Sequence, residues 1–280
     1  MTSEKISILI PTDFSDNAWS ATEYALSLYA ELHCTFYFLN SISLAHTDSR
    51  SYITAKYLDT LTETSKTRLN ALKDRATRFN SNANHKFEVI STSEEITLAI
   101  KRAVQIYNID VVVTGTKGAT GVNRYFLGSN TVKIIQSLKS CPMLAIPDAY
   151  EFKAPRHIAF PTDFTRIYEI KELQVLLDFA DLYNAHIYIL HINLQSELNE
   201  RQEVNMRALQ SYLVNHQHTF HWMEKFGTKS DEINDFVQEF KIDVLAMVNY
   251  KHSLIERVIK EPVIKKIGFQ PMVPFLVIPE

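Results

Sequence analysis

Ile8-Leu9-Ile10-Pro11-Thr12-Asp13-Phe14 returns about 150 residues later as Ile158-Ala159-Phe160-Pro161-Thr162-Asp163-Phe164. The match extends outward from these segments. Ile109-Asp110-Val111-Val112-Val113 is echoed by Ile242-Asp243-Val244-Leu245-Ala246, and Cys141-Pro142-Met143-Leu144-Ala145-Ile146-Pro147 by Val273-Pro274-Phe275-Leu276-Val277-Ile278-Pro279, in the same order. Two long copies are too few for a solenoid, so the pattern reads as duplication of a whole domain. The expected domains are residues 1–150 and 151–280, joined near Asp148 to Arg156, a polar stretch containing a proline. A chain of 280 residues is long enough for two cores.

Within each copy, short apolar runs alternate with longer segments whose apolar positions lie three and four apart, the signature of βα units around a parallel sheet. In the first copy the reading places strands at 6–11, 35–40, 87–91, 110–114 and 142–147. Helices fall at 17–32, 51–79, 94–107 and 130–138. Continuous runs such as Val111-Val112-Val113 suit strands covered on both faces. The fold class is therefore α/β: two tandem Rossmann-like domains, each a five-stranded parallel sheet with helices on both sides.

In such sheets ligands lie beyond the carboxyl ends of the strands. Four of the six glycines gather in one such place: Gly115-Thr116-Lys117-Gly118-Ala119-Thr120-Gly121 and then Gly128-Ser129-Asn130-Thr131, just before a helical pattern. Glycine allows close backbone approach, and the free N–H groups and dipole of a helix start favour an anion. Ser129 suits the N-cap, its hydroxyl alternatively serving a phosphate oxygen, and Lys117 adds positive charge. The competing reading is purely structural, with the glycines making turns and Ser129 capping the helix.

The spacing G-x2-G-x9-G-S from Gly115 through Gly118 to Gly128-Ser129, after an Ile-Asp-Val-Val-Val strand, combines with Pro11-Thr12-Asp13-Phe14-Ser15 after the first strand. Together these closely resemble the nucleotide-binding branch of the universal stress protein family, in its tandem two-domain form, and the resemblance spans both halves. It implies an ATP or AMP site between the first and fourth strands, and dimers formed through the last strand. Carried onto this sequence, Pro11, Thr12 and Asp13 would line the adenine and ribose end, with Ser41 and Ile42 offering backbone contacts to the base. Thr114, Gly115, Lys117 and Gly118 would border ribose and phosphates, and Gly128, Ser129, Asn130 and Thr131 would hold the phosphates. Asp13 has two further readings, a ligand reaching a phosphate-bound Mg2+ or an Asx-turn carboxylate.

The second copy departs from this pattern. Its loop, Val248 through Pro262, contains no glycine, places Tyr250 where a backbone-cradled phosphate would need space, and brings Glu261 near the old Gly-Ser position. A degenerate site is expected there. The second domain then serves as a built-in partner in an intramolecular pseudo-dimer, with a homodimer as the further option.

Other function classes find little footing. The apolar fraction is 46%, the charged fraction 22% and the net charge −3, so no global positive field draws the chain to nucleic acid or anionic lipid. No run approaches the roughly 18 apolar residues of a membrane span, and the apolar run Ile6–Ile10 is too short for a signal-peptide core. A cytoplasmic location is expected. Cys34 and Cys141 read as buried core thiols, and His216, His218 and His221 as surface residues rather than a zinc site. The mixed charges of Arg68 to Arg75 read as a solvated helix face. Without a spacing that specifies a catalytic triad, the expectation is a nucleotide-responsive regulator in stress response and not an enzyme. A ligand-free interaction module and a slow ATPase are the alternatives.

Overall fold

A computed structural model of the chain describes residues 5–42, 55–116, 127–193, 197–224, 228–250, 255 and 271–280. It divides into two compact units, Met1–Arg124 with Gly128–Phe152, and Tyr125–Leu127 with Lys153–Glu280.

Unit 1 runs β1 (Ile6–Pro11), α1 (Asp16–Leu28), β2 (Cys34–Ser41), α2 (Ala55–Phe79), β3 (His85–Thr92), α3 (Ile96–Tyr107), β4 (Val111–Gly115), α4 (Ser129–Ser137) and β5 (Met143–Ile146). All its strand pairs are parallel, in the order β3-β2-β1-β4-β5. The centre of this order is β1, which explains why Ile8, Leu9 and Ile10 are wholly buried. Helices α1 and α2 pack together, as do α3 and α4, the pairing that right-handed crossovers place on opposite faces.

Unit 2 repeats the plan with β6 (His157–Pro161), α5 (Ile170–Asp181), β7 (His186–Asn193), α6 (Glu200–Tyr212), β8 (His218–Glu224), α7 (Lys229–Glu239), β9 (Val244–Asn249) and β10 (Phe275–Pro279). Its strands are again parallel, in the order β10-β9-β6-β7-β8. The α/β class read from the repeat is the fold observed.

Local chemistry sets several boundaries. Helix α1 stops at Leu28 rather than 32, because the chain turns there with Ala30 N–H donating to Ser27 and Leu32 N–H to Tyr29. Helix α3 starts at Ile96 because the Glu95 carboxylate accepts from Thr97 and Leu98 N–H as its N-cap. Helices α5, α6 and α7 each begin with a reciprocal capping box, at Glu169–Glu172, Asn199–Gln202 and Thr228–Asp231.

Both thiols are buried, Cys34 in β2 and Cys141 just before β5, and burial pushes each thiol up to about 12, where it stays protonated.

Candidate functional site

The strand order of unit 1 reverses direction between β1 and β4, and the carboxyl ends of those two strands form the crevice that doubly wound sheets use for ligands. Pro11 ends β1. The next residues make a tight turn in which Thr12 Oγ1 accepts from Phe14 N–H at 2.9 Å and Asp13 Oδ1 accepts from Ser15 N–H at 3.0 Å. Phe14 has φ 63, a left-handed conformation unusual for a bulky residue. The two flanking side chains hold it there, and Ser15 then caps α1 by accepting from Ala18 N–H at 3.2 Å. Unit 2 builds the same turn: Phe164 has φ 52, Thr162 Oγ1 accepts from Phe164 N–H at 3.2 Å and Asp163 Oδ1 from Thr165 N–H at 3.2 Å. The repeated Pro-Thr-Asp-Phe is thus a turn in both units, with Asp13 exposed and making the Asx-turn contact.

The buried Thr12 carbonyl accepts from Asn40 Nδ2 at 2.8 Å, and Asn40 Oδ1 in turn accepts from Ser65 Oγ, which accepts from Ser91 Oγ, each at 2.8 Å. This polar chain ties α2 and β3 to the turn. Asn40 was not among the residues singled out from the sequence; a polar residue closing an apolar strand was its only signal. At the end of β2, Ser41 Oγ donates to Glu94 O at 2.6 Å and Ile42 N–H to Thr92 O at 2.8 Å. These bonds tie both residues to the chain at the end of β3, with these particular donors already engaged.

At the end of β4 the backbone is crowded. A Cβ on Gly115 would lie 2.2 Å from Asn17 Oδ1 and 3.0 Å from Asn17 O, so only glycine lets the start of α1 press against this strand. Thr114 is buried beside it. Gly115 O accepts from Thr131 Oγ1 at 3.0 Å, and Thr116 O accepts from Gly128 N–H, so the start of α4 is tied to the strand end. The N-cap is Gly128, not Ser129: its φ −58, ψ 152 leave the helix, and no side chain caps it. Ser129 and Asn130 form the first exposed turn, while Thr131 is buried and faces inward. A helix start without a side-chain cap offers backbone donors to an anion. Lys117 and Gly118 lie outside the described residues.

Unit 2 fills the corresponding crevice with its own side chains. Asp16 opens α1 five positions after Pro11, whereas Ile170 opens α5 nine positions after Pro161. The longer connection carries Arg166 and Tyr168. Tyr168 is buried with its hydroxyl 2.8 Å from Thr162 Oγ1, and burial pushes the phenol well above its usual range, so it stays neutral. Arg166 sits over the rings of Tyr250, at 4.3 Å, and Tyr168, at 5.1 Å, and pairs with Glu172. Register places Val248 where unit 1 has Gly115, since Leu9 faces Val112 and Ala159 faces Leu245. Glu261 lies outside the described residues.

No group of three or more His, Cys, Asp or Glu among the described residues could hold a metal ion. Among the described residues no helix is long and apolar enough to cross a membrane.

A doubly wound α/β unit with a glycine-edged crevice at its switch point has the architecture of the Rossmann-like class. The universal stress protein family profile matches residues 7–147, and the chain belongs to that family. A universal stress protein from Archaeoglobus fulgidus DSM 4304 has the same fold over 98% of both chains, with a TM-score of 0.72 at 17% identity. A protein of unknown function from Pseudomonas aeruginosa PAO1 matches over 98% of this chain and 92% of its own, with a TM-score of 0.59 at 12% identity. No curated protein matches the chain significantly.

Proposed function

We propose that unit 1 binds one adenine nucleotide, ATP or AMP, at the crevice between β1 and β4, and that the chain acts as a nucleotide-responsive regulator in stress response. The observation that carries this reading is the start of α4. It lacks a side-chain cap and is tied to the glycine-edged end of β4, across the switch point from the Thr12–Phe14 turn.

In this reading the N–H groups of Ser129, Asn130 and Thr131 hold the phosphates, helped by the helix dipole, and Gly128 permits the close approach. Pro11, Thr12 and Asp13 take the adenine and ribose end, with Ser41 and Ile42 beside the base, and Thr114, Gly115, Lys117 and Gly118 border the ribose and phosphates. The bound nucleotide supplies a polyanion whose charge changes with phosphate number. ATP would bring Mg2+ on its phosphates, with the exposed Asp13 carboxylate nearby. Binding rather than turnover is the function, and unit 2, its crevice occupied by Arg166, Tyr168 and Tyr250, takes no nucleotide.

Calorimetric titration of the nucleotide-stripped chain with ATP, AMP and GTP in Mg2+, followed by assay for ADP, tests this. One adenine nucleotide per chain without turnover is expected. Two per chain would overturn the reading of unit 2, steady ADP release would make the chain an ATPase, and no binding would leave an interaction module.

A further inference from the structure

We propose that the groove between α1 and α2 of unit 1 is a docking surface for an extended acidic segment of a partner protein. The groove is an open pocket of ≈ 220 Å3. Its walls are two arginine–aromatic pairs: the Arg68 guanidinium lies 4.1 Å from the Phe14 ring centre, and the Arg75 guanidinium 3.6 Å from that of Trp19. Between the arginines the floor is Ala71 and Leu72.

Three features point to this occupant. First, both arginines are exposed, and among the described residues no carboxylate engages either one. Stacking on an aromatic face fixes the plane of a guanidinium and leaves its N–H edges for bidentate contact with a carboxylate. Second, this stretch of α2 is basic although the chain is net acidic: beyond Lys66, which pairs with Glu63, it carries Arg68, Lys73, Arg75 and Arg78 against Asp74 alone, with Asp13 and Asp16 exposed next in sequence to Phe14 and Ser15. Third, the spacing is selective. Seven residues of helix put the two arginines about 10 Å apart along the axis, within reach of two long carboxylate side chains four positions apart, about 13 Å, on the same face of an extended chain. The aliphatic floor between them suits an apolar side chain in the middle, which a compact polyphosphate would not use.

Unit 2 does not repeat the device. Phe164 stacks instead on His191, and its carbonyl accepts from the buried Asn205 at 2.7 Å. The groove also borders Thr12, which the nucleotide reading places at the adenine and ribose end, but its two arginines lie on α2, so the proposal stands whether or not the crevice at β4 takes a nucleotide.

The test is fluorescence anisotropy of the full chain with a fluorescein-labelled peptide carrying two glutamates four positions apart and a leucine midway between them, so that all three side chains share one face of the extended chain. Binding is expected, weakening as ionic strength rises to about 0.5 M. Arg68→Ala with Arg75→Ala should weaken it roughly tenfold or more, while Lys73→Ala with Arg78→Ala, the same charge loss on the same helix, leaves it nearly unchanged. Arg75→Lys, which keeps the charge and the fold but loses the stacked fork, should also weaken it. Gly128→Glu should not. Absence of binding, equal loss in the Lys73/Arg78 variant, displacement by tripolyphosphate as readily as by unlabelled peptide, or loss in Gly128→Glu would each overturn the proposal.

Discussion

Arg166 covers the ring of Tyr250 at 4.3 Å while it pairs with Glu172, whose side chain is only 1% exposed. The second Glu172 oxygen accepts from Glu169 N–H at 2.7 Å as part of the helix cap, so one buried carboxylate both starts α5 and anchors the arginine that fills the crevice. Arg166→Ala removes the cation and leaves that carboxylate buried. The expected loss of stability is roughly 2–4 kcal/mol, read from urea midpoints, and much of it should return in Arg166→Met with Glu172→Gln. A loss below the scatter of surface substitutions would show the pair to be ornamental.

Gly128→Glu puts bulk and negative charge at the uncapped start of α4. The circular dichroism spectrum should be unchanged and adenine-nucleotide binding abolished. A folded variant with wild-type affinity would move the site elsewhere.

Gly115→Ala forces a methyl group against Asn17. Overpacking of this kind costs about 1–3 kcal/mol, and Asn17→Ala in the same chain should recover part of it, since the 2.2 Å contact is with the side chain while the 3.0 Å contact with the Asn17 carbonyl stays. A double-mutant cycle of unfolding free energies measures the coupling. Strict additivity would contradict the contact.

Three histidines make stability depend on pH. Burial lowers the pKa of His85, His186 and His221, and for His186 the neighbouring His157, His218 and His221 lower it further. Each is therefore neutral in the fold at a pH where the unfolded chain already binds a proton. Their contribution is fully present above the ordinary histidine value of about 6.5 and is lost as pH falls through the lowered folded values. Urea midpoints should drop between about pH 7 and about pH 5.5, and the drop should shrink in His186→Gln with His221→Gln. An equal slope in that variant would assign the dependence to other groups.

Much of this molecule was legible in its residues. Periodicity and the duplicated segments gave the strands and the sheet class, because buried parallel strands are written as continuous apolar runs such as Val111–Val113. The glycines at 115 and 128 marked the two ends of the crevice, though not how Gly115 works, since its constraint comes from Asn17, ninety-eight positions away. Ser129 looked like an N-cap by type, yet Gly128 takes that place because cap position is set by backbone angles. Arg68 and Arg75 read as a solvated helix face; only the approach of α1 shows that Phe14 and Trp19 lie under them. The filling of unit 2 was foreshadowed by the missing glycines, but Arg166 and Tyr168 were not singled out. Counting residues from each Pro-Thr-Asp-Phe to the next helix could have revealed the longer connection.

The valine at 248 makes the divergence of the two units hard to undo. Val248 is buried where Gly115 lets α1 approach in unit 1, and the chain after β6 has settled into the room left by a helix that begins later. Changing Val248 to glycine would therefore remove buried side-chain volume but leave Arg166 and Tyr168 in place, and so restore no crevice. Several changes, each harmful alone, would have to arrive together, so the route back is closed step by step even though the turn at Thr162–Phe164 is still intact.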